Sequence, residues 1–295
     1  MRDPRISVVT PSYNQGRFIE ETIRSVLEQG YRNVEYSVLD GGSTDRTIEI
    51  LQRYDPQLSF WRSAKDGGEA AAINEGFGRA TGDILCWLNS DDLHVATTLS
   101  TVAKLLGSSL EMPVVLYGGC EMFNDRTHWR EVRPAISFSR GLLETVDFLN
   151  QPSLFWTRRV WEVVGPFDET LHYGLDWDWF LRASKVCQFV MTDALLSRYR
   201  LHDAQKTGAG GEKRWSELLE IVRRHSSPAV VSHYEFLVRH GSARWWLNKR
   251  MRIFQRLCRW SPKIAGSVAD LLSPPFWNLP SDIDKEVLWR ISGIR

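Results

Sequence analysis

The chain has 295 residues, of which 43% are hydrophobic and 25% charged, the composition of a globular protein of one or two domains. Its formal net charge of +1 gives no overall attraction to nucleic acid, so no nucleic-acid partner is expected. The four cysteines are far apart, which argues against a zinc site or a disulfide framework. No apolar run approaches the roughly 20 residues of a membrane-spanning helix, and no signal peptide precedes the first strand, so a cytoplasmic protein is expected.

Strand and helix patterns alternate through the first 92 residues. Short apolar runs predict strands, and apolar residues at helical spacing between them predict helices. Such alternation is typical of an α/β protein with a mainly parallel sheet flanked by helices, and the loops at the strand ends then meet at one edge. The four predicted strands are 6–10, 34–39, 58–61 and 84–88.

The pattern is more mixed between residues 93 and 210. We predict four strands and two helices here, and a glycine-rich break at 207–211 marks a domain boundary. The predicted organisation is therefore a domain of residues 1–210, with halves of about 1–92 and 93–210, and a helical C-terminal extension of residues 211–295. The strands are 114–117, 153–156, 188–191 and 195–200, and the helices are 160–164 and 176–185.

Two adjacent carboxylates, Asp91 and Asp92, follow the fourth predicted strand. The carboxyl end of a buried strand is where an open α/β sheet places its ligand chemistry. Carboxylate oxygens suit Mg²⁺ or Mn²⁺, so the pair is a candidate metal site. The alternative is that these residues cap the next helix, because Asp is a favourable N-cap.

Acidic residues also follow the second and third strands. Asp40 precedes Gly41 and a second glycine, and Asp66 precedes Gly67, with Asn74 on the next helix. A strand-end carboxylate accepts hydrogen bonds from a base or ribose, and glycine lets a ligand approach the backbone. Each of these residues is also explained by an ordinary turn. The chain has neither a Gly-x-Gly-x-x-Gly motif after its first strand nor a phosphate-binding P-loop, which argues against a dinucleotide cofactor.

Two further residues are candidates for chemistry. Asp176 begins a helix and shares a face with Trp179 and Phe180, where partial desolvation suits a general base, whereas Asp178 is expected to pair with Arg182 at i+4. His202 follows a strand and is a candidate for a metal or phosphate contact. A helix cap and a structural histidine are the respective alternatives.

The ordered set of motifs resembles the family 2 glycosyltransferases with the GT-A fold. The resemblance covers about residues 5–207 and rests on Thr-Pro-Ser-Tyr-Asn at 10–14, Asp-Gly-Gly-Ser-Thr-Asp at 40–45, Leu-Asn-Ser-Asp-Asp at 88–92, Pro-Phe-Asp-Glu at 166–169 and the segment after 175. It implies a Rossmann-like nucleotide-binding half and an inverting, metal-dependent transfer of a sugar from a nucleotide donor. The implied acceptor is a hydroxyl of a saccharide or lipid-linked saccharide, as in cell-surface polysaccharide synthesis.

The resemblance and the strand-end positions together give the predicted site. Asp176 would match the family's catalytic base, with Leu175 in place of a Glu, and Asn89 replaces the first acid of the Asp-x-Asp metal motif. The predicted ligands of Mn²⁺ or Mg²⁺ are Asp91, Asp92 and His202. The predicted nucleotide-sugar-binding residues are Thr10, Pro11, Tyr13, Asn14, Asp40, Gly41, Ser43, Asp66, Gly67, Asn74, Asn89 and Ser90.

Two other functions stay open at this point. One is a nucleotidyltransferase, which also uses acids and a metal at a sheet edge, although residues 10–16 are a poor match to its glycine-rich phosphate loop. The other is a protein that binds a nucleotide sugar without turnover, which the departures at Asn89 and Leu175 keep open.

The C-terminal extension contains a basic segment. Residues 236–269 hold eight Lys or Arg and no Asp or Glu. If this segment is a helix, as predicted for the extension, it can lie on an anionic membrane surface, which would place the protein peripherally at the cytoplasmic face. The alternative is that the helix packs on the catalytic domain. Five basic residues at helical spacing form one stripe: Lys249, Arg252, Arg256, Arg259 and Lys263.

Overall fold

The structure, a computed structural model, describes residues 3–206 and 210–241. Within them the chain forms two compact units. The first contains residues up to 138 and from 149 to 206, and the second contains residues 139–148 together with those from 210 onwards. The predicted basic stripe at 249–263 lies outside the described residues. Nowhere in 3–206 or 210–241 is a helix long and apolar enough to cross a lipid bilayer.

The first unit is built around one mixed sheet. Four parallel strands lie in the order β3-β2-β1-β4, and beyond them follow β8, β6, β9 and β5, with β7 paired to β6. The β4–β8 and β8–β6 pairs are antiparallel, and the β6–β9 pair is parallel. The strands are β1 (Ile6–Ser12), β2 (Val34–Asp40), β3 (Phe60–Ser63), β4 (Ile84–Trp87), β5 (Leu93–His94), β6 (Val114–Asn124), β7 (Trp129–Arg133), β8 (Leu154–Thr157) and β9 (Gln188–Arg200).

Helices flank this sheet, which confirms the predicted α/β architecture. In chain order the helices of the first unit are α1 (Ile19–Leu27), α2 (Thr47–Tyr54), α3 (Glu69–Arg79), α4 (Thr98–Leu106), α6 (Arg158–Val164) and α7 (Leu175–Ala183). The second unit contains α5 (Arg140–Leu143), α8 (Gly211–His225) and α9 (Pro228–Arg239).

The second half of the sheet differs from the sequence-based expectation. The two strands predicted at 188–191 and 195–200 are one long strand, β9, which pairs with β6 through an irregular register. Strand β6 runs seven residues beyond the predicted 114–117, and β7, which was not predicted, pairs with this extension. A bulged strand loses its period-two pattern locally, so sequence alone divides it in two.

Apolar residues bury both faces of the parallel strands. On one face Ile6 and Val8 pack with residues of α1, α2 and α4. On the other face, α3 approaches β1 so closely that a Cβ added to Gly76 would lie 2.4 Å from a methyl carbon of Val9. Glycine therefore sets the distance between helix and sheet at this point. An aromatic cluster continues this face: Phe77, Trp87, Trp156, Phe167 and Trp179.

Candidate active site

Three neighbouring strands of the first unit end at the same level. Ser12 is in register with Asp40, and Asp40 is in register with Ser63. The loops that follow these strands therefore start side by side, as predicted for the carboxyl edge of a parallel sheet.

The Asp40 carboxylate organises the turn after β2. Its Oδ2 accepts hydrogen bonds from the backbone N–H of Gly42 and Ser43, at 3.1 and 2.8 Å, and from the Ser63 hydroxyl at 2.6 Å. Its Oδ1 accepts from the Ser43 hydroxyl at 2.5 Å. Asp40 is wholly buried, so its side chain acts as a turn residue, the alternative considered above. Its contact with a nucleoside stays a prediction.

The loop after β1 is fastened to this turn. Asn14 has a φ of 52°, in the left-handed region, where Asn is among the better-tolerated residues. Its N–H donates to the Ser43 hydroxyl at 2.6 Å, and its side-chain oxygen accepts from the N–H of Thr44 at 2.9 Å. Asp45 Oδ2 accepts from the N–H of Gly16 at 2.8 Å. Asn14 and Ser43 therefore connect the loop after β1 to the turn after β2.

Tyr13, Gly41 and Asp66 lie next to one another, one on each of the three loops. A Cβ added to Gly41 would lie 3.5 Å from the Tyr13 ring and 3.4 Å from Asp66 Oδ1. Tyr13 is 61% exposed, an unusual state for a large aromatic side chain on an ordered loop. Asp66 accepts from Arg62 at 3.2 Å and from the N–H of Gly68 at 2.9 Å. An exposed ring and a carboxylate therefore flank a glycine at this edge of the sheet.

The side chain of Thr10 faces the core and Pro11 is buried, and the contact of these two residues with a nucleoside stays a prediction. Thr10 is wholly buried, and its hydroxyl is 3.0 Å from the Tyr36 hydroxyl, inside the core. Pro11 is also buried within β1. Because side chains alternate along a strand, the residue two positions after Val8 faces the same core.

The Asn74 side chain is bonded within the protein, and its contact with a nucleotide sugar stays a prediction. Its amide oxygen accepts from the N–H of Phe167 at 2.9 Å, and its amide nitrogen donates to the Phe167 carbonyl at 3.0 Å and to Glu169 at 2.9 Å. The side chain is therefore bonded to the segment before α7. Gly67, at the start of the same loop, lies near Glu169, since a Cβ added there would be 3.9 Å from its Oε2.

Asn89 and Ser90 follow β4. The amide nitrogen of Asn89 is 3.4 Å from Gln151 Oε1, and Gln151 in turn donates to the Trp87 carbonyl at 2.9 Å. Ser90 is buried. Among the described residues, neither the buried Oδ1 of Asn89 nor the buried hydroxyl of Ser12 has a hydrogen-bond partner. Buried polar atoms are normally bonded, so these two oxygens are candidates for contact with a ligand or water, although in the described part of the chain the core atoms Trp87 Nε1 and Trp156 Nε1 are unbonded too.

Asp91 and His202 meet across 111 residues of sequence. His202 Nε2 is 2.9 Å from Asp91 Oδ2, and the imidazole packs 4.6 Å from the Phe18 ring. Their side chains are 19% and 10% exposed, so both are accessible from one side. A metal with donors about 2.1 Å away at right angles separates those donors by about 3 Å. The two side chains therefore fit as neighbouring ligands of one divalent ion.

Asp92 is buried beside this pair, and its role as a metal ligand stays a prediction. It is 1% exposed, and its Oδ1 accepts from the N–H of Arg200 at 2.9 Å. Burial, together with the adjacent charge of Asp91, raises the pKa of the Asp92 carboxyl well above its usual range. In the part of the chain that the structure describes, no group of three or more His, Cys, Asp or Glu side chains is placed to hold a metal ion.

Arg200 was not among the predicted site residues. It joins the end of β9 to the segment that follows β4. Its Nε donates to the Asp91 carbonyl at 2.9 Å, and it forms ion pairs with Glu21 and Asp125. The guanidinium carbon lies 5.0 Å and 4.6 Å from the ring centroids of Phe18 and Phe123, and only 3% of the side chain is exposed. Arg200 therefore fixes where Asp91 stands relative to His202.

The helix α7 carries the two carboxylates of the predicted base segment. Asp178 pairs with Arg182 at 2.9 Å, as predicted. Asp178 is 3% exposed, whereas Asp176 is only partly buried. Residues on every side of this short helix are buried, so a one-face pattern does not describe it. Asp176 is thus the more accessible of the two acids.

The comparison with known families decides the identity. The sequence profile described as Glycosyl transferase family 2 matches residues 7–161, more than half of the chain. The chain belongs to glycosyl transferase family 2. The protein is therefore a glycosyltransferase with the GT-A fold, and the nucleotidyltransferase alternative is set aside.

Other proteins resemble this glycosyltransferase along most of its length. An uncharacterised glycosyltransferase of Rickettsia typhi is 28% identical over 248 residues, which are 79% of this chain and 78% of the relative. An uncharacterised glycosyltransferase of Mycobacterium tuberculosis is 29% identical over 234 residues, 75% of this chain and 82% of the relative.

Two solved structures share the fold. TarS residues 1–349 of S. aureus, in complex with UDP-GlcNAc, gives a TM-score of 0.57 at 18% identity and covers 81% of this chain and 73% of its own. The mannosyltransferase PcManGT of Pyrobaculum calidifontis, in complex with GDP-Man and Mn²⁺, gives a TM-score of 0.58 at 19% identity and covers 93% and 82%.

Sequence reasoning missed Gln151, Arg200 and Lys206 in this glycosyltransferase. Gln151 contacts Asn89, and Lys206 donates to Glu69 at the start of α3 at 2.7 Å. Each acts on residues more than 60 positions away, so no local pattern signals its role. The one signal for Arg200 in the sequence is its position two residues before His202, within the stretch of 5–207 that resembles the family.

Proposed function

We propose that this glycosyltransferase is inverting and metal-dependent, and that it moves a sugar from a nucleotide-sugar donor to a hydroxyl of a saccharide or lipid-linked saccharide acceptor. The observation that carries the proposal is the Asp91–His202 pair, with its atoms 2.9 Å apart at the edge of the sheet where Tyr13, Gly41 and Asp66 also lie. Two proteins of the same fold bind UDP-GlcNAc and GDP-Man with Mn²⁺, respectively, which supports the same ligand classes here.

The donor is proposed to lie along the three loops. The exposed Tyr13 ring offers a face for stacking a base, because nucleobases and aromatic side chains pack through their π faces. Gly41 leaves room for the base or ribose to approach the backbone, and Asp66 offers acceptor oxygens. Asn14 and Ser43 hold the loops in place.

Asp91 and His202 are proposed to bind a divalent ion, Mn²⁺ or Mg²⁺. When bound, the ion would supply charge neutralisation for the diphosphate leaving group. Arg200 keeps the two ligands at their separation through its hydrogen bond to the Asp91 backbone. The Asp92 carboxyl accepts a hydrogen bond from the N–H of Arg200 and so helps to fix the strand end that precedes His202.

Asp176 is proposed to take the proton from the acceptor hydroxyl. A single carboxylate that accepts this proton as the hydroxyl attacks the anomeric carbon leads to direct displacement and inversion. Asp176 is the accessible acid of α7, whereas Asp178 is occupied by Arg182.

The experiment is the release of nucleoside diphosphate from a panel of nucleotide sugars, with Mn²⁺, Mg²⁺ or a chelator, in the presence of candidate acceptors. We expect Asp176→Asn to lower transfer by about two to four orders of magnitude, the range for loss of a general base, while nucleoside diphosphate binding changes little. Asp193→Asn, on an exposed position of β9, is the matched control. A larger catalytic loss in a stably folded Asp178→Asn variant would transfer the role to that residue.

The location is a proposal from sequence alone: the cytoplasm, with peripheral contact to an anionic membrane through the basic segment 236–269. Flotation with anionic vesicles at low and high salt tests it. Salt-sensitive flotation that is lost when Lys249, Arg252, Arg256 and Arg259 are changed to Ser supports membrane contact. Absence of flotation at low salt contradicts it.

A further inference from the structure

Asn74 joins two parts of the first unit that lie more than 90 residues apart in sequence. Its amide forms one hydrogen bond with the N–H and one with the carbonyl of Phe167, at 2.9 and 3.0 Å, and a third with Glu169 at 2.9 Å. We propose that Asn74 is a positioning residue that fastens the segment 164–169 to α3 and so holds Asp176 in place for the transfer reaction. The inference rests on the proposed function, in which Asp176 is the base.

The fastened segment is tied to the helix that carries Asp176. Trp179 Nε1 donates to the Gly165 carbonyl at 2.9 Å. Arg182 donates to the carbonyls of Val164 and Pro166, both at 2.8 Å. These hydrogen bonds come from α7 itself, so a shift of the segment 164–167 moves the helix that contains Asp176.

Phe167 gives the segment a fixed position in the core. It is 2% exposed, and its ring stacks on Trp179 with centroids 5.1 Å apart and meets Trp87 at 5.0 Å. Apolar contacts resist removal of the ring but leave its backbone free to rotate or slide. The two directional hydrogen bonds from Asn74 remove that freedom.

The other end of this connection is a donor loop. Helix α3, which carries Asn74, begins at Glu69 directly after Gly67 and Gly68. Gly68 has a φ of 106°, a conformation that side chains other than glycine rarely adopt, so the loop enters the helix through a defined turn. Glu169 lies beside Gly67 as well as bonding Asn74. The Asn74 side chain therefore connects the loop proposed to bind the nucleotide-sugar donor to the segment that is tied to the proposed base.

An amide suits this role better than a carboxylate. It offers both a donor and an acceptor to the two polar groups of one residue, as a neighbouring β-strand would. Asp would keep the acceptor for the Phe167 N–H but would place a second negative charge beside Glu169 and lose both donated hydrogen bonds. Ala would lose all three.

The test compares Asn74→Ala with Asn33→Ala in the full-length protein. Asn33 precedes β2 at the opposite edge of the sheet and donates one hydrogen bond to the Asp3 carbonyl. We expect Asn74→Ala to lower kcat by about 10- to 100-fold, the loss that follows a displacement of about 1 Å at a reacting group. The Kd for nucleoside diphosphate with Mn²⁺ should change by less than about twofold, since Asn74 does not contact the donor in this inference.

Hydrogen exchange measures the position of the segment directly. Amide exchange of the peptide spanning 164–176 should accelerate in Asn74→Ala and stay unchanged in Asn33→Ala. An unchanged kcat, or a fall in kcat matched by an equal weakening of nucleoside diphosphate binding, would overturn the inference. The second result would restore Asn74 as a direct donor contact.

A rescue experiment separates positioning from folding. Asn74→Asp should lower kcat, and adding Glu169→Gln should recover part of it, because the Gln amide can donate to the new carboxylate and one negative charge is removed. Absence of recovery in a folded double variant counts against the inference. If Asp176→Asn retains full transfer, the proposed base is wrong. If Asp176→Asn is inactive while Asn74→Ala keeps its kcat, only the positioning role is wrong.

Discussion

Asp40 ends β2 and Asp91 follows β4 at the same edge of one sheet, but the two carboxylates have opposite surroundings. Asp40 is wholly buried and accepts four hydrogen bonds from Gly42, Ser43 and Ser63. Asp91 is partly exposed, and within the described residues only His202 hydrogen-bonds its side chain. The oxygens of Asp40 are occupied by hydrogen bonds within the turn, whereas those of Asp91 can still accept bonds from a ligand.

Two histidines of this region also differ in exposure. His202 pairs with Asp91 and reaches the surface. His94, on the strand beside β9, is buried next to Phe155, and neither ring nitrogen has a partner among the described residues. Residue type and strand-end position thus do not distinguish a functional side chain from a structural one. Exposure separates the two histidines, and for the two carboxylates the number of hydrogen bonds already made separates them as well.

Asp91→Asn is expected to have the largest effect on transfer. Loss of an outer partner of a metal ligand lowers metal affinity about 10- to 100-fold, so removal of the ligand's charge should lower transfer by at least about 100-fold. Calorimetry should show that Mn²⁺ no longer strengthens nucleoside diphosphate binding, whereas the melting temperature stays close to that of the wild type. Unchanged metal dependence would place the ion elsewhere.

His202→Gln is expected to lower transfer about 10-fold, less than Asp91→Asn because a neutral ligand is lost and the carboxylate remains. Raised Mn²⁺ concentrations should recover part of the activity, and a titration of rate against Mn²⁺ measures this. A matched change at exposed His172, His172→Gln, is the control. A large fall in melting temperature with normal specific activity would make His202 a structural residue like His94.

Asp40→Asn should act mainly on stability. The variant turns a donor amide toward the N–H groups of Gly42 and Ser43 or leaves them unbonded, and hydrogen bonds to a charged group contribute about 1.5 to 3 kcal/mol each. We expect the free energy of unfolding in urea to fall by about 2 to 3 kcal/mol. Its activity per folded molecule should exceed that of Asp91→Asn. The reverse ranking would break the comparison between the two carboxylates.

His94→Phe should have the smallest effect on transfer, and its signature is the pH dependence of stability. Burial lowers the pKa of His94 from 6.5 to about 3. Between these values the unfolded chain binds a proton that the folded protein does not, so His94 makes stability fall as the pH decreases, by up to about 1.4 kcal/mol per pH unit. The difference in unfolding free energy between wild type and variant should therefore shift in favour of the variant from pH 7 to pH 4.5. A constant difference contradicts the assignment.

The local motifs were readable because their partners are close in sequence. The turn around Asp40, with Gly41 and Ser43, is made by residues two or three positions apart, and the Asp178–Arg182 pair spans one helical turn. Strand and helix periodicity gave the four parallel strands and their common edge for the same reason. The family resemblance added the expected chemistry to these positions.

What the sequence by itself determined is the α/β architecture, the family and the set of polar residues at one sheet edge, because these follow from short-range patterns and ordered motifs. Only the tertiary structure decided which of those residues remain accessible. It buried Thr10 and Asp92, bonded Asn74 to Phe167 and paired Asp91 with His202. The physical reason is that burial and hydrogen bonding depend on partners distant in sequence, which no local pattern specifies. Asp91 and His202, for example, are 111 residues apart and are brought together by β9 and Arg200.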